Sequence, residues 1–279
     1  MISQINHLID LENERVRTCA SYNNSLTECG RVNTDEKDEI GRLLEFLASD
    51  RVFLFYSTEN GGMIAEAFGD LMTANSVAIV IPGMGTTVSK FGNTSRGAKN
   101  LFEAMGGNRG ASVATIAWLG YDPPDGLIHA GVGSGGDQVD RLESFVSSAL
   151  FTDSQELTVV AHSYGSLLMA SAALPQGSSN VDNIVFIGSP GYAEIEAPAA
   201  LAAAYDFYLV QAPGDPIVAA GWITHGGSGS DDFLAQHRMA ANGCTDVEIS
   251  GHSDYLLTGS TSLFNTALVA TGQNPHLSC

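Results

Sequence analysis

The stretch "TVVAHSYGSLLMA", residues 158–170, decides the fold. An apolar run rich in β-branched residues ends in His-Ser-Tyr-Gly and passes at once into a run of helix formers. The reading is a strand over 157–161, a sharp turn with Ser163 at its tip, and a helix over 164–174. Such a turn brings backbone segments together, so the residues two before and two after the serine must be small. Ala161 and Gly165 meet that need, with Ala in place of the first Gly of the usual G-x-S-x-G. A serine there can simply cap the helix. The strand–turn–helix context instead points to a nucleophile lifted clear of the sheet, with the Tyr164 backbone N–H aimed at a developing oxyanion. His162 is turned away from Ser163 by its backbone position and reads as a packing or hydrogen-bonding residue.

Working outward, short apolar strands alternate with helical patterns. "RVFLFYS", "TENGG" and "MIAEAF" read as a β-hairpin with a glycine turn. "SVAIVIPG", "ASVATIAWLG", "LTVVAH", "NIVFIGSPG" and "YDFYLVQAPGD" read as strands, and "TDVEIS" as the last one. Helices are expected over 93–105, over 136–150 and in "SLFNTALVA", while "DDFLAQHRMA" is helix-like. Fully apolar strands between helices predict an α/β fold, a mostly parallel sheet covered on both faces. Residues 1–50, with Ile40, Leu43, Leu44 and Leu47 on one face, form a short helical N-terminal extension, and 51–279 form one domain.

A second oxyanion donor is expected from the loop after an earlier strand. In "VAIVIPGMGTT" the glycines allow close backbone approach, and the Met84 N–H is nominated, with Gly85 as the neighbouring option. A phosphate loop is excluded because no Gly-Lys-Ser/Thr follows. A serine hydroxyl needs a base and an orienting acid. His252, in "GHSDYL" after "TDVEIS", is the expected base. His225 in a glycine-rich loop, His237 on the helix-like stretch and His276 in a frayed tail are the rivals. Asp215, in "PGDP" at a strand end, is the expected acid, although Asp in such a turn is also ordinary turn chemistry. Asp206 starts its strand at the wrong end, and Asp254 is too close to His252 in sequence.

Composition narrows the function. Of 279 residues 44% are apolar and 15% charged, so a packed core is expected rather than disorder. With 12 basic against 31 acidic residues the net charge is -19, which disfavours nucleic acid and anionic membrane surfaces. No run of 18 apolar residues suggests a transmembrane segment. The N-terminus lacks a secretory leader pattern, so cytoplasmic is the default expectation, with leaderless secretion open. Cys19, Cys29, Cys244 and Cys279 form no CxxC pair, so no metal is expected, and free thiols are favoured over disulfides. No cofactor is expected either, because no G-x-G-x-x-G with a ribose-binding acid follows the first strand.

Taken in order, "VAIVIPGMGTT", "ATIAWLGYDPPDGL", "LTVVAHSYGS", "IVFIGSPG", "APGDPI" and "GHSDYL" resemble a family of actinobacterial α/β-hydrolases long catalogued as a domain of unknown function. The resemblance covers about residues 50–272. It implies an α/β-hydrolase fold and matches Ser163, Asp215 and His252 to the catalytic triad positions. The loop "WLGYDPPDGL" suggests Trp118, Tyr121 and Leu127 as pocket residues, with a core role for Trp118 equally open. Residues 217–240 suggest a small cap carrying Trp222, Ile223 and Phe233. The expected chemistry is cleavage of carboxylic esters, with a small-molecule or lipid ester as substrate. An amidase or peptidase with the same triad, or a non-catalytic interaction module on the same fold, are the alternatives. Oligomeric state is not readable.

Overall fold

The computed structural model describes residues 51–57, 62–124, 136–172, 180–191, 205–224 and 237–279, with only the backbone of 221–224. The extension over 1–50, the tip of the hairpin turn, and the side chains of Leu127, Trp222, Ile223 and Phe233 lie outside the described residues.

In chain order the elements are β1 (Val52–Ser57), β2 (Met63–Phe68), β3 (Ser76–Ile81), α1 (Gly92–Ala104), β4 (Val113–Leu119) and α2 (Gly136–Val146). They continue as β5 (Glu156–His162), α3 (Gly165–Ala172), β6 (Asn183–Ile187), β7 (Asp206–Val210), α4 (Pro216–Thr224), β8 (His237–Met239) and α5 (Thr261–Ala270). One sheet runs β1-β2-β4-β3-β5-β6-β7-β8. The β1–β2 hairpin joins β4 antiparallel, and every further pairing is parallel.

The central strands are mostly apolar and buried because both faces are covered. All seven residues of β4 are buried. Alternation along β4 sends its side chains to opposite faces. The Thr115 hydroxyl donates to the Ala98 carbonyl of α1 at 2.8 Å. Three residues on, the Trp118 ring meets Phe145 of α2, centroids 5.7 Å apart. Helix α1 packs with α5, and α2 with α3. Because β3, β5 and β7 are parallel, their carboxyl ends share one edge of the sheet, where such folds collect their functional groups.

Three expectations about local structure need correction. "DDFLAQHRMA" does not continue as a helix to Met239: His237–Met239 is the outermost strand, paired with Tyr208–Val210. "TDVEIS" is not a strand. It makes one isolated bridge, Val247 to Ser260. Backbone groups of Thr245 and Ile249 bond to side chains instead. The Ile249 N–H donates to Asn242 Oδ1 and the Asn242 amide donates back to the Ile249 carbonyl, each at 2.8 Å. The N–H groups of Cys244 and Thr245 donate to Thr261 Oγ1. Nor is the tail around His276 frayed: its N–H donates to Asn265 Oδ1 at 2.9 Å, and the Ala240 N–H donates to its carbonyl at 3.0 Å.

The free-thiol expectation fails for one pair. Cys244 and Cys279 are joined in a disulfide, Cα atoms 5.2 Å apart, across 35 positions. Closing a loop of that length in the unfolded chain contributes about 2–4 kcal/mol. Cys279→Ser is therefore expected to lower the unfolding free energy by about that amount in urea titrations. A reductant should destabilise the parent chain and leave the variant unchanged. Equal stability of the two under oxidising conditions would contradict this.

Candidate active site

The turn after β5 is built around one strained residue. Ser163 has φ 53°, and it is the non-glycine residue with positive φ among the described residues. An L-residue reaches that region at a cost of about 1–3 kcal/mol. Several contacts hold it there. The Ser163 N–H donates to the Ile187 carbonyl at 3.1 Å, and the Ser166 N–H and hydroxyl donate back to the Ser163 carbonyl at 2.9 and 2.6 Å. Neighbouring backbones come so close that side chains are excluded. A Cβ on Gly165 would lie 2.5 Å from the Pro82 carbonyl, and one on Gly83 would lie 2.7 Å from Ser163 Cβ.

The structure brings Ser163, His252 and Asp215 together. Ser163 Oγ is 2.7 Å from His252 Nε2. His252 Nδ1 is 2.8 Å from Asp215 Oδ2 and 3.0 Å from Oδ1. Asp215 is also the cap of α4: its Oδ1 accepts the Ile217 and Val218 N–H groups at 2.8 and 3.3 Å. The turn role and the position expected for the acid thus belong to the same carboxylate, whose Oδ1 takes the helix N–H groups while both oxygens lie within reach of the imidazole. Burial alone would raise its carboxyl. Hydrogen bonds from His252 and Tyr255, the His252 charge and the Ile217 N–H outweigh that and hold it below the ordinary value. Asp215 is closed off from water, whereas His252 keeps 20% of its side chain open. Asp254 stands apart from this chain and accepts the Gly251 N–H at 3.0 Å.

Two contacts were not legible in the sequence. The Tyr255 hydroxyl donates to Asp215 Oδ2 at 2.7 Å and accepts the Ala212 N–H at 2.9 Å. His162 Nε2–H donates to the His252 carbonyl at 2.6 Å, and the two rings lie 4.6 Å apart. His162 is thus a hydrogen-bonding residue, and what it holds is the loop of the expected base. The same loop is docked on α1, where the Asn100 amide donates to the Leu256 carbonyl at 2.8 Å. The nearest sequence signals were adjacency to Ser163 and to His252, and neither specifies a partner.

The loop after β3 lies against Ser163 through Gly83. The Gly85 N–H already donates to the Pro124 carbonyl at 3.0 Å, which removes the neighbouring option for an oxyanion donor. The N–H groups of Met84 and Tyr164 have no hydrogen-bond acceptor among the described residues. Tyr121 braces this loop from beneath: its hydroxyl donates to the Pro82 carbonyl at 2.6 Å. Burial first, and then Tyr164, push that hydroxyl well above the ordinary phenol range, so it remains a donor.

Trp118 and Tyr121 are buried, with ring centroids 6.3 Å apart. A Cβ on Gly120 would fall 2.2 Å from the Trp118 indole, so only glycine admits the ring there. Trp118 does line a groove of about 470 Å³ with Leu54, Phe55, Met63 and Phe145. That groove is lined by none of Ser163, Asp215 and His252. No cluster of metal-ligating side chains exists among the described residues. No helix among them is long and apolar enough to cross a membrane.

A strand–serine–helix elbow on this sheet, with an acid after β7 and a histidine before α5, defines an α/β-hydrolase. Residues 58–223 match the sequence model of an alpha/beta hydrolase family, and the chain belongs to that family. The match ends before His252, whose position rests on the geometry. An uncharacterized protein of Mycobacterium tuberculosis H37Rv is 34% identical over 141 residues, 46% of this chain and 52% of that protein. A second uncharacterized protein of that strain is 29% identical over 144 residues, 47% of this chain and 21% of the relative. The chain thus matches about half the length of the first relative and less of the second. Among solved structures, 2,6-dihydroxy-pseudo-oxynicotine hydrolase superposes with a TM-score of 0.54 at 12% identity, covering 90% of this chain and 78% of that one, a likeness of fold.

His162 yields a test of this packing. Burial first, then the neighbouring His252, lower it from 6.5 to about 4. Between those values the unfolded chain takes up a proton that the native chain does not. Stability therefore falls as pH drops from 6.5 towards about 4. Asp215 adds a further loss at lower pH, as its depressed carboxyl finally protonates. In His162→Gln, which keeps an N–H donor, the decline over the upper window should flatten by about one proton's worth. Parallel denaturation series at several pH values read this directly. Identical slopes for the two proteins would contradict it.

Proposed function

We propose that this chain is a serine hydrolase that cleaves carboxylic esters through an acyl-enzyme. The unbroken run of hydrogen bonds from Ser163 Oγ through His252 to Asp215 carries the reading. Next in sequence to Gly83 and Ser163, which lie against each other, are Met84 and Tyr164, whose backbone N–H groups have no acceptor among the described residues. Ser163 Oγ attacks the ester carbonyl carbon as His252 Nε2 takes its proton. The carbonyl oxygen gains negative charge and is held by the Met84 and Tyr164 N–H groups. Asp215 orients the ring through Nδ1–H and stabilises the imidazolium. The imidazolium then protonates the leaving alkoxide, and the alcohol departs. Water, deprotonated by the same nitrogen, attacks the acyl-enzyme and releases the carboxylic acid and free Ser163.

Esters rank first because alkoxides leave more readily than amines and need the least from this machinery. A non-catalytic module has no use for a strained serine bonded to a histidine–carboxylate pair. The Cys244–Cys279 bond fits an oxidising setting better than the cytoplasmic default.

The test is hydrolysis of short-chain p-nitrophenyl esters. The parent chain should turn over, and Ser163→Ala should lose about 10³-fold or more in kcat. Asp215→Asn should also lose several orders of magnitude while remaining folded. Turnover that survives Ser163→Ala would sink the proposal. Turnover of anilides in preference to esters would move it to the amidase class.

A further inference from the structure

We propose that Tyr255 is a positioning residue that limits how strongly Asp215 holds a protonated His252. The inference rests on the hydrolase reading above for its catalytic meaning, but its physical content is separable from turnover.

The geometry is specific. Asp215 Oδ2 is shared between two donors, His252 Nδ1–H at 2.8 Å and the Tyr255 hydroxyl at 2.7 Å. The phenol oxygen in turn accepts the Ala212 N–H at 2.9 Å, which leaves its single proton for the carboxylate. Tyr255 is 1% exposed, so water does not compete for that bond. The end of β6 makes room for the ring. Gly188 has φ 60°, and a Cβ there would lie 2.7 Å from Tyr255 Cε2 and 3.2 Å from Asp215 Oδ2. Burial first, then the adjacent carboxylate, hold the phenol proton in place far above the ordinary range, although the Ala212 N–H works the other way.

A donor on a carboxylate oxygen draws charge from it. The shared oxygen is then a weaker partner for an imidazolium. The other groups around the pair act independently of this bond. His162 faces His252 from β5 as a second imidazole, Ser163 sits on Nε2, and the Ile217 and Val218 N–H groups hold Oδ1. Asp254, on the His252 loop, is engaged with Gly251. Removing the Tyr255 hydroxyl therefore strengthens the Asp215–His252 attraction, and the imidazole holds its proton to higher pH. A base that stays protonated longer cannot accept the Ser163 proton, so the acid limb of the reaction moves up with it.

The experiment is an NMR titration of the His252 imidazole in the parent chain, in Tyr255→Phe, and in Tyr255→3-fluorotyrosine installed at that site alone. The pH dependence of the rate of fluorophosphonate labelling is followed in parallel. Fluorination keeps the geometry and makes the phenol a stronger donor. Tyr255→Phe should move the midpoint up by about 0.5–1 pH unit, three- to tenfold in the protonation constant. The fluorinated variant should move it down by less. A merely structural role would not produce shifts of opposite sign. Unchanged midpoints, or shifts in one direction for both variants, would overturn the inference. Opposite shifts in a parent chain that is never labelled would leave the Tyr255–Asp215 link standing and bring down the hydrolase reading instead.

Discussion

The structure turns on the left-handed backbone of Ser163. A strand that delivers its last side chain to the edge of a sheet and enters a helix within two residues has no unstrained route. The strain is tolerated because the flanks of the turn are fixed in a dry core: β5 buries every residue from Leu157 to Ala161, and α3 buries nearly every residue. It also dictates its surroundings. Gly165 and Gly83 have no side chain because the Pro82 carbonyl and Ser163 itself occupy that space. The same crowding presses the β3 loop against Ser163.

Asp215 is the second junction. Its Oδ1 caps α4, its Oδ2 receives the Tyr255 hydroxyl, and His252 Nδ1 lies within reach of both oxygens. A buried carboxylate normally needs such company. Here the company comes from three elements: the helix it starts, the loop that carries His252 and Tyr255, and, through Ala212 and Tyr255, the end of its own strand. The loop of His252 is fastened again by His162 and by Asn100 of α1. His252 is thus carried on a segment without regular secondary structure that is tied to β5 of the sheet and to α1.

Much of this was legible in the sequence where one physical signal dominated. The apolar runs of β3, β4, β5, β6 and β7 could only be buried strands, and the small residues around Ser163 marked the elbow. Legibility failed where side chains replaced backbone ladders. "TDVEIS" alternates like a strand, yet Asn242 and Thr261 take up the backbone groups a neighbouring strand would have engaged. The short strand His237–Met239 has two exposed residues of three, so no periodicity revealed it. Tyr255 and His162 sat inside quoted motifs, but their partners are 40 and 90 positions away. Such pairings follow from the parallel order of β5, β6 and β7, which a single sequence does not encode locally. The Cys244–Cys279 bond was missed because spacing alone ranks thiols poorly.

The most direct test of the central claim is to treat the folded chain with a fluorophosphonate and locate the adduct by peptide mass spectrometry. The account predicts one adduct per chain, on the peptide that carries Ser163, and its loss in His252→Ala. A folded parent chain that takes up no label, or carries it on another residue, would contradict the account.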